Sequence, residues 1–193
     1  MADFLFENRI WDRAAETMPR DELRRLQLAR LRRIVSRVAE VPFYKEVFAR
    51  ENISPRSIKS LDDLRRIPFT TKEDLRKHYP LGFLAVPRAK VVRIHGSSGT
   101  TGKPTFVPYT ARDLELWADL CARFLVAGGL RPEHTVHIAF GYGLFTGGFG
   151  LHYGVERVGA AIVPAASGNT PRQIMLIADL GAREVGGQGE AGD

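Results

Sequence analysis

Residues 94–109 read Ile-His-Gly-Ser-Ser-Gly-Thr-Thr-Gly-Lys-Pro-Thr-Phe-Val-Pro-Tyr. Gly96, Gly99 and Gly102 are interleaved with the hydroxyls of Ser97, Ser98, Thr100 and Thr101, and Lys103 closes the run. Glycine lets a loop fold back and brings its backbone N–H groups close to a ligand. Successive N–H groups in such a turn form an anion-binding concavity. Hydroxyls add donors, and a lysine adds a mobile positive charge that suits phosphate. The predicted chemistry is the holding of a polyphosphate by Ser97, Ser98, Gly99, Thr100, Thr101, Gly102 and Lys103. The spacing is not that of a Walker A loop, in which Ser or Thr and then a helix follow Gly-Lys. Here Pro104 follows Lys103, and the segments on either side, Val91–His95 and Thr105–Tyr109, both read as strands. A strand–loop–strand hairpin is expected.

A second candidate is Phe-Gly-Tyr-Gly-Leu-Phe-Thr-Gly-Gly at 140–148. It falls where a predicted strand passes into a predicted helix, and open α/β sheets bind ligands beyond the carboxyl ends of their strands. Phe140, Tyr142, Phe145 and Phe149 would supply an aromatic wall, with glycines allowing close backbone approach. Aromatics alone at such a place are most simply core; the glycine density beside them favours a binding site. The remaining reactive side chains carry less. His95, His134, His137 and His152 show no metal-ligand spacing, so no metal ligand is assigned, and His152 is expected to pack or bond locally. Cys121 is the single cysteine, which excludes an intrachain disulfide and a cysteine-based zinc site. It lies on an apolar helix stripe and reads as a buried thiol rather than a nucleophile. No Ser-His-Asp arrangement is inferable, and the Gly-x-Ser-x-Gly spacing of a nucleophile elbow is absent.

The elements that must position these residues fall into two kinds. Residues 3–16 predict a short amphipathic helix around Phe6, Ile10 and Trp11. Leu23, Leu26, Leu31, Ile34, Val35 and Val38 recur at helical spacing and predict a long helix from Arg20 to Glu40, ended by Pro42. A third helix is expected around Phe43–Phe48. Ser60-x-x-Asp63 and Thr71-x-x-Asp74 resemble capping boxes, each starting a short helix. From Val91 the pattern alternates. Thr110 with Asp113 caps a helix whose stripe is Leu114, Trp117, Cys121, Phe124 and Leu125. Thr135–Phe140 is a strand, a helix runs to Gly159, Ala160–Pro164 is a strand, and Thr170–Leu180 is a helix with Pro171 at its first position. Strands alternating with helices imply parallel pairing.

The 193 residues are 44% hydrophobic and 26% charged, which is ordinary globular composition. Neither a signal-peptide run nor a stretch long enough to span a membrane is present, so a cytoplasmic protein is expected. The formal charge of +6 is uneven: residues 1–90 hold 20 Lys/Arg against 13 Asp/Glu, while 91–193 hold 8 against 9. All but one of the glycines lie beyond residue 90. The expected division is a helical segment over 1–90, an α/β portion over 91–180, and a glycine-rich, disordered tail over 181–193. Arg24, Arg25, Arg32 and Arg33 would share one helix face. They admit a nucleic-acid stripe, but no aromatic interleaving or recognition-helix pattern accompanies them, and a solvated face is the simpler reading.

Ser97-Ser-Gly-Thr-Thr-Gly-Lys-Pro-Thr105 resembles the phosphate-loop signature of the adenylate-forming superfamily, which includes the acyl-CoA synthetases. Within it, residues 140–154, Pro42-Phe-Tyr44 and Ile67–Leu75 resemble the phenylacetate–coenzyme A ligases. The resemblance covers roughly residues 5–180. It implies an α/β fold, with an N-terminal helical segment followed by part of the βαβ core of the large N-terminal domain. It also implies a two-step reaction using ATP, Mg²⁺ and coenzyme A, with phenylacetate or a related aryl acid as substrate. By this resemblance residues 97–103 cradle the β- and γ-phosphates, Phe140, Tyr142 and Phe145 line the aryl pocket, and Gly147 and Gly148 leave space for the ring. The family often carries Tyr where Phe140 stands. Partners would be these small molecules, not nucleic acid or membrane, with room for a homodimer. The family's sequence departs from this chain after Leu180. The expectation is therefore an N-terminal part, inactive alone, without the C-terminal domain and its adenylation lysine, so that no catalytic residue is assigned. Two alternatives stay open: a phosphate-binding module completed by a partner chain, and a basic helical module that binds nucleic acid.

Overall fold

The computed structural model describes residues 9–97 and 104–185. They form two compact units, one of Thr17–Pro108 and one that joins the segment up to Glu16 to the chain from Tyr109 onward. Sequence composition placed a change near residue 90; the break in contacts falls after Pro108 instead.

In the continuous unit, α2 (Arg20–Val38) and α3 (Pro42–Arg50) bury Val35, Val47 and Phe48 together with Ile53 and Ile58. Asp21 and Glu22 lie in the first turn of α2, where negative charge suits the helix dipole. Pro42 opens α3 as well as closing off α2, because its fixed φ fits a first helical turn. Arg32 leaves the basic stripe: its Nε donates to the Ile58 carbonyl at 2.7 Å and fastens that segment to α2. Both expected capping boxes form. The Asp63 carboxylate takes the N–H groups of Lys59 and Ser60 at 2.9 and 2.8 Å. Asp74 takes the Thr71 N–H at 2.8 Å. The second starts α4 (Lys72–Lys77), but the first starts a 3-10 turn, Leu61–Arg66, rather than an α-helix. Ile67, preceding Pro68, is already extended at φ −83° and ψ 118°, as a residue before proline prefers. Strands β1 (Val91–Gly96) and β2 (Phe106–Thr110) then pair as a two-stranded sheet.

The other unit holds a three-stranded sheet in the order β4-β3-β5, formed by β3 (Thr135–Ile138), β4 (Ala161–Val163) and β5 (Arg183–Val185). Both pairings are parallel, with Thr135 opposite Ala161 and Val136 opposite Arg183. The expected disordered tail over 181–193 therefore needs correction at its start. Gly181 at φ +57° closes the preceding helix, and Arg183–Val185 runs back along β3. Residues 186–193 lie outside the described residues.

Helix α5 (Ala111–Ala127) packs on α6 (Gly147–Val158) over a core of Ala122, Leu125, Val126, Val136, Ile138, Val155 and Val158. The close approach depends on glycine. A Cβ at Gly150 would lie 2.6 Å from the Trp117 ring, and one at Gly154 would lie 2.5 Å from Cys121 Cβ. This seam turns Cys121, Ala122 and Leu125 inward and leaves Phe124, expected in the stripe, 52% exposed. Helix α7 (Thr170–Leu180) is capped by Asn169, so Pro171 stands second rather than first in it.

Of the helix expected over 3–16, residues 3–8 lie outside the described residues; among the described ones the helical part is α1 (Arg13–Glu16). Arg9 has φ +57°, and the Asp12 carboxylate accepts the Ala15 N–H at 3.0 Å, so the helix starts after Asp12. Glu16 meets Arg123 of α5 at 3.6 Å. No helix of the described residues is long and apolar enough to cross a membrane.

Candidate functional site

The strand β3 leads into the 140–148 stretch. Residues 139–146 are neither helix nor strand, and α6 begins at Gly147. Phe140 and Phe145 both approach that helix start. A Cβ at Gly147 would stand 3.5 Å from the Phe140 ring and 3.6 Å from the Phe145 ring. Phe140 packs partly against the core, whereas Phe145 is 56% exposed. Thr146 gives α6 no side-chain cap. The first N–H groups of a helix carry a partial positive charge, so two aromatic rings here flank an anion-attracting end.

At Gly148 the close neighbour is backbone rather than a ring. A Cβ there would lie 2.8 Å from the Gly141 carbonyl oxygen, so the glycine admits the turn against the helix. Tyr142 faces α6. Its hydroxyl lies 3.2 Å from His152 Nδ1, and its ring meets Phe149 and His152 edge-on at 5.4 and 5.6 Å. His152 Nε2 in turn lies 3.2 Å from Glu156 Oε1. Burial, and then the charge of Glu156, push the Tyr142 phenol above its ordinary range, so it keeps its proton. His152 bonds locally, as its sequence setting suggested; Glu156 was not singled out, although the four-residue spacing of His152 and Glu156 on a helix is a legible signal.

Another polar link closes the carboxyl end of the sheet. His137, fully buried on β3, bonds through Nε2 to Gln173 Oε1 at 2.9 Å. The Gln173 amide donates to the carbonyls of Ala166 and Gly168 at 3.2 and 2.6 Å. Since the Gln173 nitrogen is the donor to those carbonyls, its oxygen accepts, and His137 carries its proton on Nε2. The turn after β4 is thereby tied to the central strand. Its Ala166 N–H also reaches the Ile138 carbonyl at 3.1 Å. Nothing in the sequence pattern singled out Gln173.

Of the expected phosphate loop, Ser97 is described, and Ser98, Gly99, Thr100, Thr101, Gly102 and Lys103 lie outside the described residues. Ser97 closes the base of the loop. Its N–H donates to the Thr105 carbonyl at 3.0 Å, and its Oγ accepts the Thr105 N–H at 3.0 Å. The hydroxyl proton stays available to a ligand. Elsewhere in the same unit, Arg24 and Arg25 line an open groove of about 440 Å³ with Arg20 and Lys59. Cys121 is buried, and burial pushes its thiol up, away from the thiolate a nucleophile needs. Among the described residues no group of three or more His, Cys, Asp or Glu could hold a metal ion.

No family model matches the chain. Solved structures do. It superposes on a 2-hydroxyisobutyryl-CoA ligase in complex with 2-HIB-AMP and CoA with a TM-score of 0.79 at 32% identity, over 88% of this chain and 37% of that one. The open conformation of that ligase gives a TM-score of 0.78. The chain thus carries the N-terminal part of the adenylate-forming acyl-CoA ligase fold. Within that class its sequence is similar to those of phenylacetate–coenzyme A ligases. It is 54% identical over 166 residues to the enzyme of Thermus thermophilus and 50% identical to that of Escherichia coli. The matches cover 86% of this chain, which spans 37% and 38% of the length of those two relatives.

Proposed function

We propose that this chain forms the acid- and phosphate-binding part of an ATP-dependent aryl acid–CoA ligase, with phenylacetate or a close relative as the acid. The observation that supports the acid site most directly is that two rings, Phe140 and Phe145, both approach Gly147 at the uncapped start of α6. An aryl ring would lie against the phenylalanines. Its carboxylate would be drawn to the helix N–H groups, which also hold it in one orientation.

A carboxylate is a poor acyl donor because its leaving group would be oxide. In the proposed reaction one carboxylate oxygen attacks the α-phosphorus of ATP, and the bond from that phosphorus to the α,β-bridging oxygen breaks to release pyrophosphate. The thiolate of coenzyme A then attacks the acyl carbon of the adenylate and displaces AMP. Residues 97–103 would hold the β- and γ-phosphates, with N–H and hydroxyl donors spreading the negative charge that builds as pyrophosphate leaves. Lys103 belongs to that loop and is not the adenylation lysine. Mg²⁺ would travel with the polyphosphate; it has no protein ligand set among the described residues, and no residue of this chain is assigned to it. The reading keeps the protein in the cytoplasm, with these small molecules rather than nucleic acid as its partners.

The reading assigns these 193 residues by themselves binding without turnover. Titration calorimetry should show phenylacetate binding that Phe145→Ala weakens and pyrophosphate binding that Lys103→Ala weakens. Loss of neither would refute the two sites. Phenylacetate-dependent exchange of pyrophosphate into ATP by the 193-residue chain would refute the absence of turnover. A second reading is a phosphate-binding module completed by a separate chain, in which pyrophosphate binds but phenylacetate does not.

A further inference from the structure

Residues 139–146 cross from β3 to α6 with little steric restraint at the glycines. A Cβ at Gly143 would meet nothing within 4 Å, and one at Gly141 would meet only Ser167 Oγ at 3.8 Å. Tyr142 stands between them and is packed against the core. Its three partners, Phe149, His152 and Glu156, lie on one face of α6 at steps of three and four residues. In the neutral imidazole of His152, the Nε2 proton faces the Glu156 carboxylate, so Nδ1 is bare and accepts the Tyr142 O–H. With His152 neutral, the Tyr142–His152–Glu156 chain has one self-consistent direction of donation.

We propose that Tyr142, oriented through His152 and Glu156, is the positioning residue that sets where Phe140 and Phe145 present their rings to the acid. This rests on the reading of 140–148 as the acid site. The phenol proton is committed to His152, so Tyr142 does not donate to the ligand carboxylate, which is left to the start of α6. The role is to fix the path of a glycine-flanked turn, not to touch the reacting atoms. One hydrogen bond of this kind is worth about threefold to tenfold in an equilibrium constant.

The test uses the 193-residue chain and three variants: Tyr142→Phe, His152→Ala and His152→Gln. Tyr142→Phe keeps the ring contacts and removes only the hydroxyl. His152→Gln can still accept from Tyr142 and donate to Glu156. Hydrogen exchange of the 140–146 amides without ligand, phenylacetate affinity and pyrophosphate affinity are measured for each. The expected result is faster exchange at 140–146 and phenylacetate binding weakened about threefold to tenfold in Tyr142→Phe and His152→Ala. Recovery in His152→Gln and unchanged pyrophosphate binding throughout complete the expected pattern. Parental exchange and affinity in Tyr142→Phe would overturn the proposal, as would equal loss of both ligands, which marks general unfolding. A parent chain that binds no phenylacetate would sink the acid-site reading itself, and the proposal with it.

Discussion

Replacing Gly154 by alanine should separate two helices that the sequence allows to touch. The added Cβ would lie 2.5 Å from Cys121 Cβ, 3.1 Å from the Cys121 carbonyl carbon and 3.1 Å from Leu125 Cδ1. Apolar carbons rest about 3.5–4.0 Å apart, so α5 and α6 must part by about 1 Å. No rotamer relieves this, because the opposing atoms are a Cβ and the backbone. Overpacking of this kind costs about 1–3 kcal/mol. Alanine recovers up to about 1 kcal/mol of helix propensity over glycine. The net loss should be about 1–2 kcal/mol, or roughly 2–8 °C in melting temperature at this chain length. Urea unfolding followed by tryptophan fluorescence would measure it, since Trp117 lies on the same seam. The mechanism makes a sharper demand on double variants. Cys121→Ala keeps the opposing Cβ and should not rescue Gly154→Ala, whereas Cys121→Gly should recover part of the loss. A Gly154→Ala chain as stable as its parent, or rescue by Cys121→Ala, would refute the close helix contact.

Three further outcomes follow from other contacts. Asp119 makes a bidentate pair with Arg157 at 2.7 and 3.1 Å, and that guanidinium holds its carboxyl below the ordinary value of 3.8. A depressed pKa gives stability that is complete above the ordinary carboxylate range and lost as pH falls through the folded value. Between about pH 5 and about pH 2 the parent should therefore lose more stability than Asp119→Asn, by less than about 1 kcal/mol because the pair is half exposed. Thr110→Ala removes the acceptor for the Asp113 N–H at 3.3 Å and should cost about 1 kcal/mol in denaturant unfolding. Arg32→Met removes the 2.7 Å bond to Ile58 and should cost about 1–2 kcal/mol, with amide exchange rising at 58–60.

What could be read in advance was local. Thr71 and Asp74, or Thr110 and Asp113, specify their caps through contacts three residues apart, and both caps form. The alternation of strand and helix after residue 91 gave the parallel order because crossover geometry leaves few other choices. Features set by distant neighbours were harder. Phe124 fits the apolar period of α5, but the glycines of α6 decide which face of α5 turns inward. Arg32 looks like one more basic surface residue until Ile58 is folded beside it. Arg183–Val185 has little strand character by itself and pairs because the edge of β3 offers unpaired backbone groups. In the candidate site, the aromatic and glycine types at 140–148 were legible, but their division of labour was not. Only the fold shows that Gly147 lies near two rings, Gly148 against a carbonyl, and Tyr142 toward His152.

The unit built from both ends of the described chain imposes a timetable on synthesis. Glu16 leaves the ribosome early, yet its partner Arg123 follows only after the whole of Thr17–Pro108 has been made. The central strand waits as well: Val136 of β3 cannot complete its ladder until Arg183 emerges. The helical unit, continuous in sequence, can close its core around Val35 and Phe48 in the meantime. Nascent chains stopped just after Pro108 should accordingly protect α2 and α3 from proteolysis, while α5 and β3 gain protection only once Val185 has cleared the exit tunnel.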